Sequence, residues 1–225
     1  MAHRDFERAT PNRMASSVTG WGLGLTTLGF TCAAVVTHEE ANAASFYTAH
    51  VLQSGTAARQ IGMGFNGSSL LTLLIGAAEI TFAGTTPTLG NWYLYVITKA
   101  TGTVTPLGYR LDMTTGVWSG AISGSATSAN RTAGVCTANV GSFSTGDYWD
   151  GRIARVAIFE KVLNAGEALE LRFPMSWRRH SVGHNGLYVD LGWRQNVFGL
   201  DEVNRAVNFG TGTAPAVVGT SPPGW

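Results

Sequence analysis

The sequence predicts an all-β protein built as an antiparallel sandwich of two sheets, with one short helix and extended N- and C-terminal segments. Three observations lead to this prediction. Glycine supplies 29 of the 225 residues, whereas its usual share is about 7 %. Charged residues make up only 13 %, whereas about 25 % is usual. Short apolar runs alternate with turn residues through the central region, as the strands of a sandwich do.

Nine apolar runs have the length and the spacing of strands. In the run 92–99 (WYLYVITK), both sets of alternate residues are apolar, which predicts a central strand that is covered on both faces. The nine predicted strands are residues 30–37, 46–53, 58–65, 70–75, 79–83, 92–99, 105–112, 134–140 and 150–159.

One helix start follows the last of these strands. Asn164 is a residue type that caps helices, Glu167 lies three positions later, and Ala168, Leu169 and Leu171 follow. This order is typical of a capping box. It predicts a short helix that begins after Asn164.

The chain divides into three zones. Residues 1–16 are polar and charged and predict an N-terminal arm, whereas residues 17–173 hold the apolar runs and predict one domain. Residues 174–225 begin at a proline and end in a stretch rich in glycine and proline, which predicts an extended C-terminal docking segment. The net charge is +1, so we expect neither nucleic acid nor a membrane as a partner.

The N-terminal region imitates an export signal without matching it. Asp5 and Glu7 lie within the would-be basic segment, and the uncharged stretch that follows is rich in Gly, Thr and Ser. We therefore expect no cleaved signal peptide. Because no apolar run reaches the roughly 18 residues of a membrane span, we also expect no transmembrane segment. Cys32 and Cys136 lie in apolar runs, which predicts two buried thiols, with a bridge between them as the alternative.

The region 148–173 (YWDGRIARVAIFEKVLNAGEALELRF) carries a specific pattern. An aromatic residue and a glycine lead into an apolar strand, an Ile-Phe pair closes the strand, and a Leu, a turn and a short Glu-containing helix follow. This pattern resembles the closing motif of laminin-G-like domains, which are concanavalin A-like jelly rolls. Segments at 30–36, 91–93 and 109–112 are similar to earlier elements of that family, in the same order. The resemblance covers residues 17–173 and implies a jelly-roll sandwich.

The closing motif also predicts local geometry. Ile153 and Val156 are out of phase for an alternating strand, which indicates a bulge near Ala154 and Arg155. Gly151 is expected to let the strand approach its neighbour closely. The laminin-G-like family usually has an acidic residue at the position of Arg155.

Patterns for catalysis are absent from the sequence. No Glu-x-Asp pair would place two carboxylates on one face of a strand for glycoside hydrolysis. There is no Gly-x-Ser-x-Gly elbow and no phosphate-binding loop, and the five histidines are scattered. We therefore expect a protein that is not an enzyme, with no catalytic residue and no organic cofactor.

A calcium site is the candidate ligand position. Many laminin-G-like domains hold Ca²⁺ at a sheet rim, so the resemblance implies oxygen ligands from Asp112, Asp147 and Asp150. Asp147 and Asp150 flank the closing strand, and Asp112 lies at a hairpin tip. The alternative is that each aspartate forms a turn or lies in solvent.

A second resemblance concerns function. Compact laminin-G-like sandwiches with short arms and a Pro-rich end look like the accessory virion proteins of tailed bacteriophages. This resemblance implies a non-enzymatic capsid decoration or cement protein of the virion, assembled in the host cytoplasm. Its partners would be the major capsid protein or other virion subunits, and further copies of itself. The residues predicted to form the interface are Arg and aromatic residues of the two extensions: Arg4, Phe6, Trp177, Arg178, Arg179, Trp193, Phe198 and Trp225.

The alternative function is a lectin-like carbohydrate-binding module for attachment to host or surface glycans, on a tail or fibre. Such a module needs exposed aromatic side chains beside polar loops, because Trp and Tyr combine an apolar face with a polar group. Trp118, Tyr148 and Trp149 are the candidates. Burial in the core or in an interface is the competing interpretation of each.

Overall fold

A computed structural model describes residues 3–6, 14–15, 21–23, 29–40, 47–54, 58–129, 134–142, 147–181, 186–190, 198–200, 206–208 and 216–218. Side chains are described within 29–40, 60–129, 138–142, 147–177 and 179–180. These residues form antiparallel strands in two sheets, with two short helices, which confirms the predicted all-β sandwich. Neither of the two described helices is long and apolar enough to cross a membrane.

The strands are β1 (His3–Phe6), β2 (Met14–Ala15), β3 (Trp21–Leu23), β4 (Phe30–Thr37), β5 (Tyr47–Ser54), β6 (Ala58–Phe65), β7 (Leu71–Ile75), β8 (Ala78–Thr81), β9 (Trp92–Lys99), β10 (Leu107–Asp112), β11 (Val117–Trp118), β12 (Ile122–Ser123), β13 (Gly134–Val140), β14 (Gly151–Phe159), β15 (Gly186–Asp190), β16 (Phe198–Leu200), β17 (Ala206–Asn208) and β18 (Ala216–Val218). The helices are α1 (Ala165–Glu170) and α2 (Pro174–Ser181). All nine predicted strands are present, with ends that differ by at most two residues.

The sheet order is that of a sandwich with crossing connections. The first sheet runs β11-β10-β9-β4-β14-β15-β16-β17, with β12 beside β10, β1 beside β14 and β18 beside β1. The second sheet runs β2-β13-β5-β6-β7-β8, with β3 beside β13. Strand β4 thus lies between β9 and β14, which are distant from it in sequence. Such non-sequential neighbours are characteristic of jelly rolls.

Two apolar clusters cover the two faces of the first sheet. The inner cluster fills the space between the sheets, and the outer cluster lies between the first sheet and the two helices. Strand β9 contributes to both, because Tyr95 and Ile97 belong to the inner cluster and Leu94 and Val96 to the outer one. Every residue of β9 is buried. The predicted central strand, covered on both faces, is confirmed.

The two cysteines lie on different sheets. Cys32 is a fully buried thiol of the inner cluster, on β4. Cys136 lies on β13, but its side chain is outside the described residues. The prediction of two buried thiols is therefore confirmed for Cys32 and stays a prediction for Cys136.

Strand β14 has the two local features that the closing motif predicts. Its register against β4 shifts between Ile153 and Arg155, which is the expected bulge. Gly151 has φ of +125°, and a Cβ at this position would lie 2.4 Å from the carbonyl oxygen of Thr37. Both the backbone conformation and the close approach therefore require glycine.

Helix α1 begins as the sequence predicts. The side-chain oxygen of Asn164 accepts the Glu167 N–H at 3.0 Å, and the Glu167 carboxylate accepts the Asn164 N–H at 3.0 Å. This reciprocal pair is a capping box. Lys161 Nζ also donates to Glu167 Oε1, at 2.7 Å.

Helix α2 is an element that the sequence analysis did not predict. The segment from residue 174 is predicted to be extended from the Gly and Pro density of its C-terminal stretch. Instead Pro174 is the first residue of the helix, a position where the missing N–H costs no intrahelical hydrogen bond. Residues 174–181 are therefore helical rather than extended.

The described strands of both terminal segments pair with the first sheet, except β2, which pairs with β13 of the second sheet. Strand β1 pairs with β14 from Arg4 opposite Ile153 to Phe6 opposite Gly151, and with β18 on its other side. Strand β15 pairs with the second half of β14. The N-terminal arm and the C-terminal extension thus extend the edge of the sandwich sheet, and the prediction that they also dock on other subunits stays a prediction.

Candidate functional site

Trp118 and Tyr109 form a stacked aromatic pair on the outer face of the first sheet. Trp118 on β11 lies directly opposite Leu111 of β10, and Tyr109 lies two positions along β10 on the same face. The ring centroids are 5.6 Å apart and the ring planes differ by 7°. Tyr109 is 4 % exposed, whereas Trp118 is only half-buried. We call this pair, a buried Tyr109 and a partly exposed Trp118, the aromatic platform.

The face that carries the aromatic platform is uncharged along the two strands that form it. The odd-numbered residues of β10 are Leu, Tyr and Leu, and they share the face of Trp118. Arg110 lies on the opposite face of β10. Its Nη1 donates to the Thr86 carbonyl oxygen at 3.1 Å, and its guanidinium carbon lies 5.9 Å from the Tyr93 ring centroid. A ligand on the aromatic platform would therefore meet no charged side chain of β10 or β11.

The turn at 113–116 borders the aromatic platform, and Asp112 holds it. Asp112 Oδ1 accepts the backbone N–H groups of Thr114 and Thr115 at 2.9 and 3.0 Å. Asp112 Oδ2 accepts Nδ2 of Asn91 at 2.9 Å. One buried carboxylate thus fixes the turn and joins it to the loop before β9.

The pKa of the Asp112 carboxyl is lowered from its ordinary value. Burial acts to raise this pKa, but hydrogen bonds from Thr115, Asn91 and Thr114 act against burial and together outweigh it. Asp112 is therefore an ionised carboxylate whose oxygens are already hydrogen-bonded. It acts as an anchor for the turn.

The structure does not bring Asp112 together with the other two aspartates of the predicted calcium site. Asp112 lies opposite Tyr93, Tyr93 opposite Val36, and Val36 opposite Ile153. Three inter-strand spacings, or about 14 Å, therefore separate Asp112 from the start of β14, which Asp150 precedes. Calcium needs oxygen ligands at about 2.3–2.6 Å. Within the described part of the chain, no group of three or more acidic, His or Cys side chains could hold a metal ion.

The other two aspartates lie in the segment that leads into β14. Asp147 has φ of +54°, a left-handed conformation that aspartate tolerates better than most residues. The carbonyl oxygen of Asp150 accepts the Glu39 N–H at 3.2 Å. These contacts fit the alternative role of aspartates that shape turns.

Two of the three predicted glycan residues do not lie at the aromatic platform. Trp149 is fully buried in the inner cluster, so no face of its ring is open to a sugar, and its predicted glycan role is corrected. Tyr148 is half-buried and lies just before β14. Strand β14 is four spacings from β11 in the sheet order, or about 19 Å. Trp118 and Tyr148 therefore cannot contact one sugar ring together.

Sequence reasoning missed His38, which is fully buried inside a cage of aromatic rings. The centroid of the imidazole lies 4.5 Å from that of Phe65, 4.9 Å from Trp149, 5.8 Å from Tyr95 and 6.1 Å from Tyr93. Burial lowers the pKa of His38 from 6.5 to about 3. The signal that could have found it is its position, since His38 directly follows a strand whose eight residues are all buried.

The predicted interface residues are placed differently from one another. Trp177 is fully buried and its indole N–H donates to the Leu171 carbonyl oxygen, so its predicted interface role is corrected to a core role. Arg179 is exposed and pairs with Glu170. Arg178 lies on α2, Arg4 and Phe6 on β1, and Phe198 on β16, but the side chains of these four residues are outside the described part. Trp193 and Trp225 lie outside the described residues altogether.

A small exposed apolar corner lies where α1 meets α2. Phe173 is 47 % exposed and Met175 is 73 % exposed. The guanidinium carbon of Arg172 lies 4.6 Å from the Phe173 ring centroid. This corner is a surface that the list of predicted interface residues did not include.

Comparisons with known proteins identify the fold. No family model matches the chain, and no curated protein matches it. Among solved structures, a proposed carbohydrate-binding protein from Bacteroides ovatus has a TM-score of 0.61 at 12 % identity, covering 96 % of this chain and 58 % of its own. A heptameric SAP-like pentraxin from Limulus polyphemus has a TM-score of 0.53 at 10 % identity, covering 88 % of this chain and 93 % of its own. The CBM40 module of a Ruminococcus gnavus sialidase, bound to α2,3-sialyllactose, has a TM-score of 0.51 at 9 % identity, covering 76 % and 97 %.

The likeness to a full-length sialidase covers only part of that protein. The chain matches only 27 % of the length of a Trypanosoma rangeli sialidase, with a TM-score of 0.51 at 17 % identity. The two antiparallel sheets of the chain and its structural neighbours indicate the same fold. The chain has a concanavalin A-like, lectin-like jelly-roll fold.

Proposed function

We propose that the chain is a non-enzymatic carbohydrate-binding module that takes a sugar ring on Trp118. The observation that carries the proposal is the aromatic platform: a half-buried Trp118 over a buried Tyr109, at 5.6 Å and nearly parallel. A buried second ring holds the first in one orientation, so little side-chain entropy is lost when a ligand stacks on it. The turn at 113–116 supplies polar groups beside it.

The proposed ligand is an uncharged sugar. The apolar face of a pyranose matches the apolar face of an indole ring, and no charged side chain of β10 or β11 lies on that face. The neighbours support a glycan as the ligand, since one is described as carbohydrate-binding and another is bound to α2,3-sialyllactose. Because β10 and β11 place no cationic side chain on this face, we expect lactose to bind better than its sialylated form.

The test is glycan binding by the full chain and by two variants. Lactose and α2,3-sialyllactose are titrated into wild type, Trp118→Ala and Val117→Ala by calorimetry. Val117 is the matched control, because it is exposed on the same short strand but opposite Asp112, on the other face. We expect Trp118→Ala to lower affinity by at least about ten-fold, as loss of a stacking ring does, and Val117→Ala to leave it unchanged. Equal binding by wild type and Trp118→Ala would contradict the proposal.

We propose, as a second candidate, the virion structural role that the sequence resemblance implies. The exposed corner at Phe173 and Met175 supports it, because contiguous exposed apolar side chains mark contact surfaces. The heptameric neighbour indicates that this fold assembles in at least one other protein. Capsid partners find no support among the neighbours, which favour the glycan-binding role.

The two roles are compatible, and the mass of the particle separates them. Size exclusion with light scattering should give a large, high-copy assembly for a decoration protein. If the Met175→Glu variant gives a smaller species instead of this assembly, the result would support the exposed corner at Phe173 and Met175 as a contact between subunits. A monomer of 23.8 kDa would contradict the decoration role, and glycan binding would be the remaining proposal.

A further inference from the structure

An arginine without an ionic partner lies on the face of β10 that is opposite to the aromatic platform. The Arg110 guanidinium is held from two sides. Its Nη1 donates to the Thr86 carbonyl oxygen at 3.1 Å, and its carbon atom lies 5.9 Å from the centroid of the Tyr93 ring. The Nε–H is buried and donates to no acceptor. The ion pairs of the described residues do not include Arg110, so a positive charge is fixed in place without a counter-charge.

The acidic residue that follows on the same face of β10, Asp112, is already engaged. Its two carboxylate oxygens accept hydrogen bonds from Asn91 and from the backbone N–H groups of Thr114 and Thr115. A guanidinium binds most strongly to a carboxylate that accepts two of its parallel N–H groups. Asp112 does not act in this way, because it makes no ion pair with Arg110. Arg110 is thus available to a carboxylate of another molecule.

Two exposed aliphatic side chains flank Arg110. Val117 is 58 % exposed and Leu89 is 47 % exposed. Val117 of β11 shares the face of Arg110, with their Cα atoms about 7–8 Å apart along the diagonal of the strand pair. Leu89 follows Thr88, whose N–H donates at 2.8 Å to the hydroxyl of Tyr93, the ring beside the guanidinium. We call Leu89, Arg110 and Val117 the rim patch.

The rim patch has the composition of the centre of a protein–protein contact. Arginine beside aromatic and apolar side chains is enriched in such centres. A guanidinium that is already held in one orientation loses little side-chain entropy when it binds. Apolar side chains on both sides exclude water from an ion pair and thereby strengthen it. Because the charged group of the patch is a cation, the partner that complements it carries an anion at the same position.

We propose that the rim patch docks a partner protein through a segment in which an acidic side chain lies next to apolar side chains, with its carboxylate bound by Arg110. The two aliphatic side chains favour a protein segment over an acidic sugar, because they offer contacts to apolar groups and no hydrogen bonds to hydroxyl groups. The rim patch and the aromatic platform lie on opposite faces of β10, so a partner protein and a sugar can be bound at the same time. This proposal does not depend on the proposed glycan-binding function.

The first arm of the test is a selection from a library of random short peptides displayed on cells. Peptides that also bind the double variant Leu89→Ser, Val117→Ser are removed first, and the remainder are selected on the full wild-type chain. Both replaced side chains are exposed, so the double variant keeps the fold and loses only the apolar part of the rim patch. We expect the selected peptides to share an Asp or Glu next to an apolar residue.

The second arm is a titration of one selected peptide in two forms, as selected and with its acidic residues replaced by the amides. We expect the amide form to bind wild type at least about ten-fold more weakly, and Arg110→Gln to lose the same factor for the acidic form. Arg172→Gln is the matched control, since the Arg172 guanidinium also lies over an aromatic ring, at 4.6 Å from Phe173. Arg172→Gln and Trp118→Ala should both bind the peptide as wild type does.

Four results would overturn the proposal. They are a selection that leaves no peptide, selected peptides without an acidic residue, equal binding of the acidic form by Arg110→Gln and wild type, and binding of glucuronate at the rim patch as tightly as the peptide. The last result would identify an acidic sugar as the ligand. If Arg110→Gln does not fold, Val117→Glu replaces it, because Val117 is exposed and a carboxylate there should weaken the acidic form more than the amide form. Equal weakening of both forms would then count against Arg110 as the carboxylate site.

Discussion

Single residues decide where this molecule can bind and where it is merely packed. Trp118 and Trp149 look alike in the sequence, since each lies beside polar residues and a predicted turn. Trp149 is fully buried and Trp118 is not, because burial depends on which strands pair and not on the local pattern. His38 was overlooked for a similar reason: its position after an apolar strand indicates burial but not that four rings enclose it.

Replacing Gly151 by alanine adds one methyl group, and we expect this small change to lower the free energy of unfolding strongly. In Gly151→Ala the new Cβ would lie 2.4 Å from the Thr37 carbonyl oxygen, at φ of +125°. We expect unfolding in urea to show a loss of about 2–4 kcal/mol, because both the clash and the backbone strain oppose folding. Gly166→Ala, in helix α1, is the control: its Cβ would lie 3.3 Å from Asn164 Oδ1, while alanine favours the helix by up to about 1 kcal/mol, so its stability should change by less than about 1 kcal/mol. Equal stability of the Gly151→Ala variant and wild type would contradict the tight approach.

His38 should make the whole fold sensitive to acid. Its pKa is lowered in the folded state, from 6.5 to about 3, so the unfolded chain binds the extra proton. The free energy of unfolding is therefore unaffected above about pH 6.5 and falls by about 1.4 kcal/mol for each pH unit below it, down to about pH 3. Urea unfolding of wild type and His38→Leu at pH 7 and pH 5 measures this slope. His38→Leu should lose most of it, and an equal slope in both proteins would show that another group is responsible.

At the scale of elements, the strands were predictable and their partners were not. Strand β9 and helix α1 follow from local signals, namely two apolar faces and a capping box. Helix α2 has no such local signal. It is stabilised by the burial of its own Trp177 side chain in the outer cluster. The separation of two predicted calcium ligands also arises at this scale. Asp112 and Asp150 both lie at strand ends, but the sheet order places β9 and β4 between them.

The turn at 113–116 should depend on Asp112 and not on calcium. In Asp112→Ala, the N–H groups of Thr114 and Thr115 lose their acceptor, and we expect unfolding to show a loss of about 1–3 kcal/mol. Because the Asp112 pKa is lowered, its contribution is present above the ordinary carboxyl pKa and is lost as pH falls through the folded value.

Thermal unfolding with millimolar Ca²⁺ and with EDTA is the companion measurement, and wild type should give the same midpoint in both. A midpoint that Ca²⁺ raises in wild type and not in Asp112→Ala would restore the calcium site.

At the scale of the whole molecule, the class of fold was predictable because composition, turn residues and the closing motif all indicate a sandwich. The site was predictable only in part. The sequence could name Trp118 as a candidate, but the stack on Tyr109 and the uncharged face arise from the pairing of β10 with β11. The termini show the same limit, since the pairing of β1 with both β14 and β18 joins residues from the two ends of the chain.

The most direct test of the central claim is to observe the tryptophans while a sugar binds. The chain has seven tryptophans, and two-dimensional NMR resolves their indole N–H signals one by one. During a lactose titration, we expect the Trp118 signal to shift with saturation while the signals of buried Trp149 and Trp177 stay in place. Saturable shifts at other tryptophans with Trp118 unmoved, or no shift at any of them, would contradict the aromatic platform as the binding site.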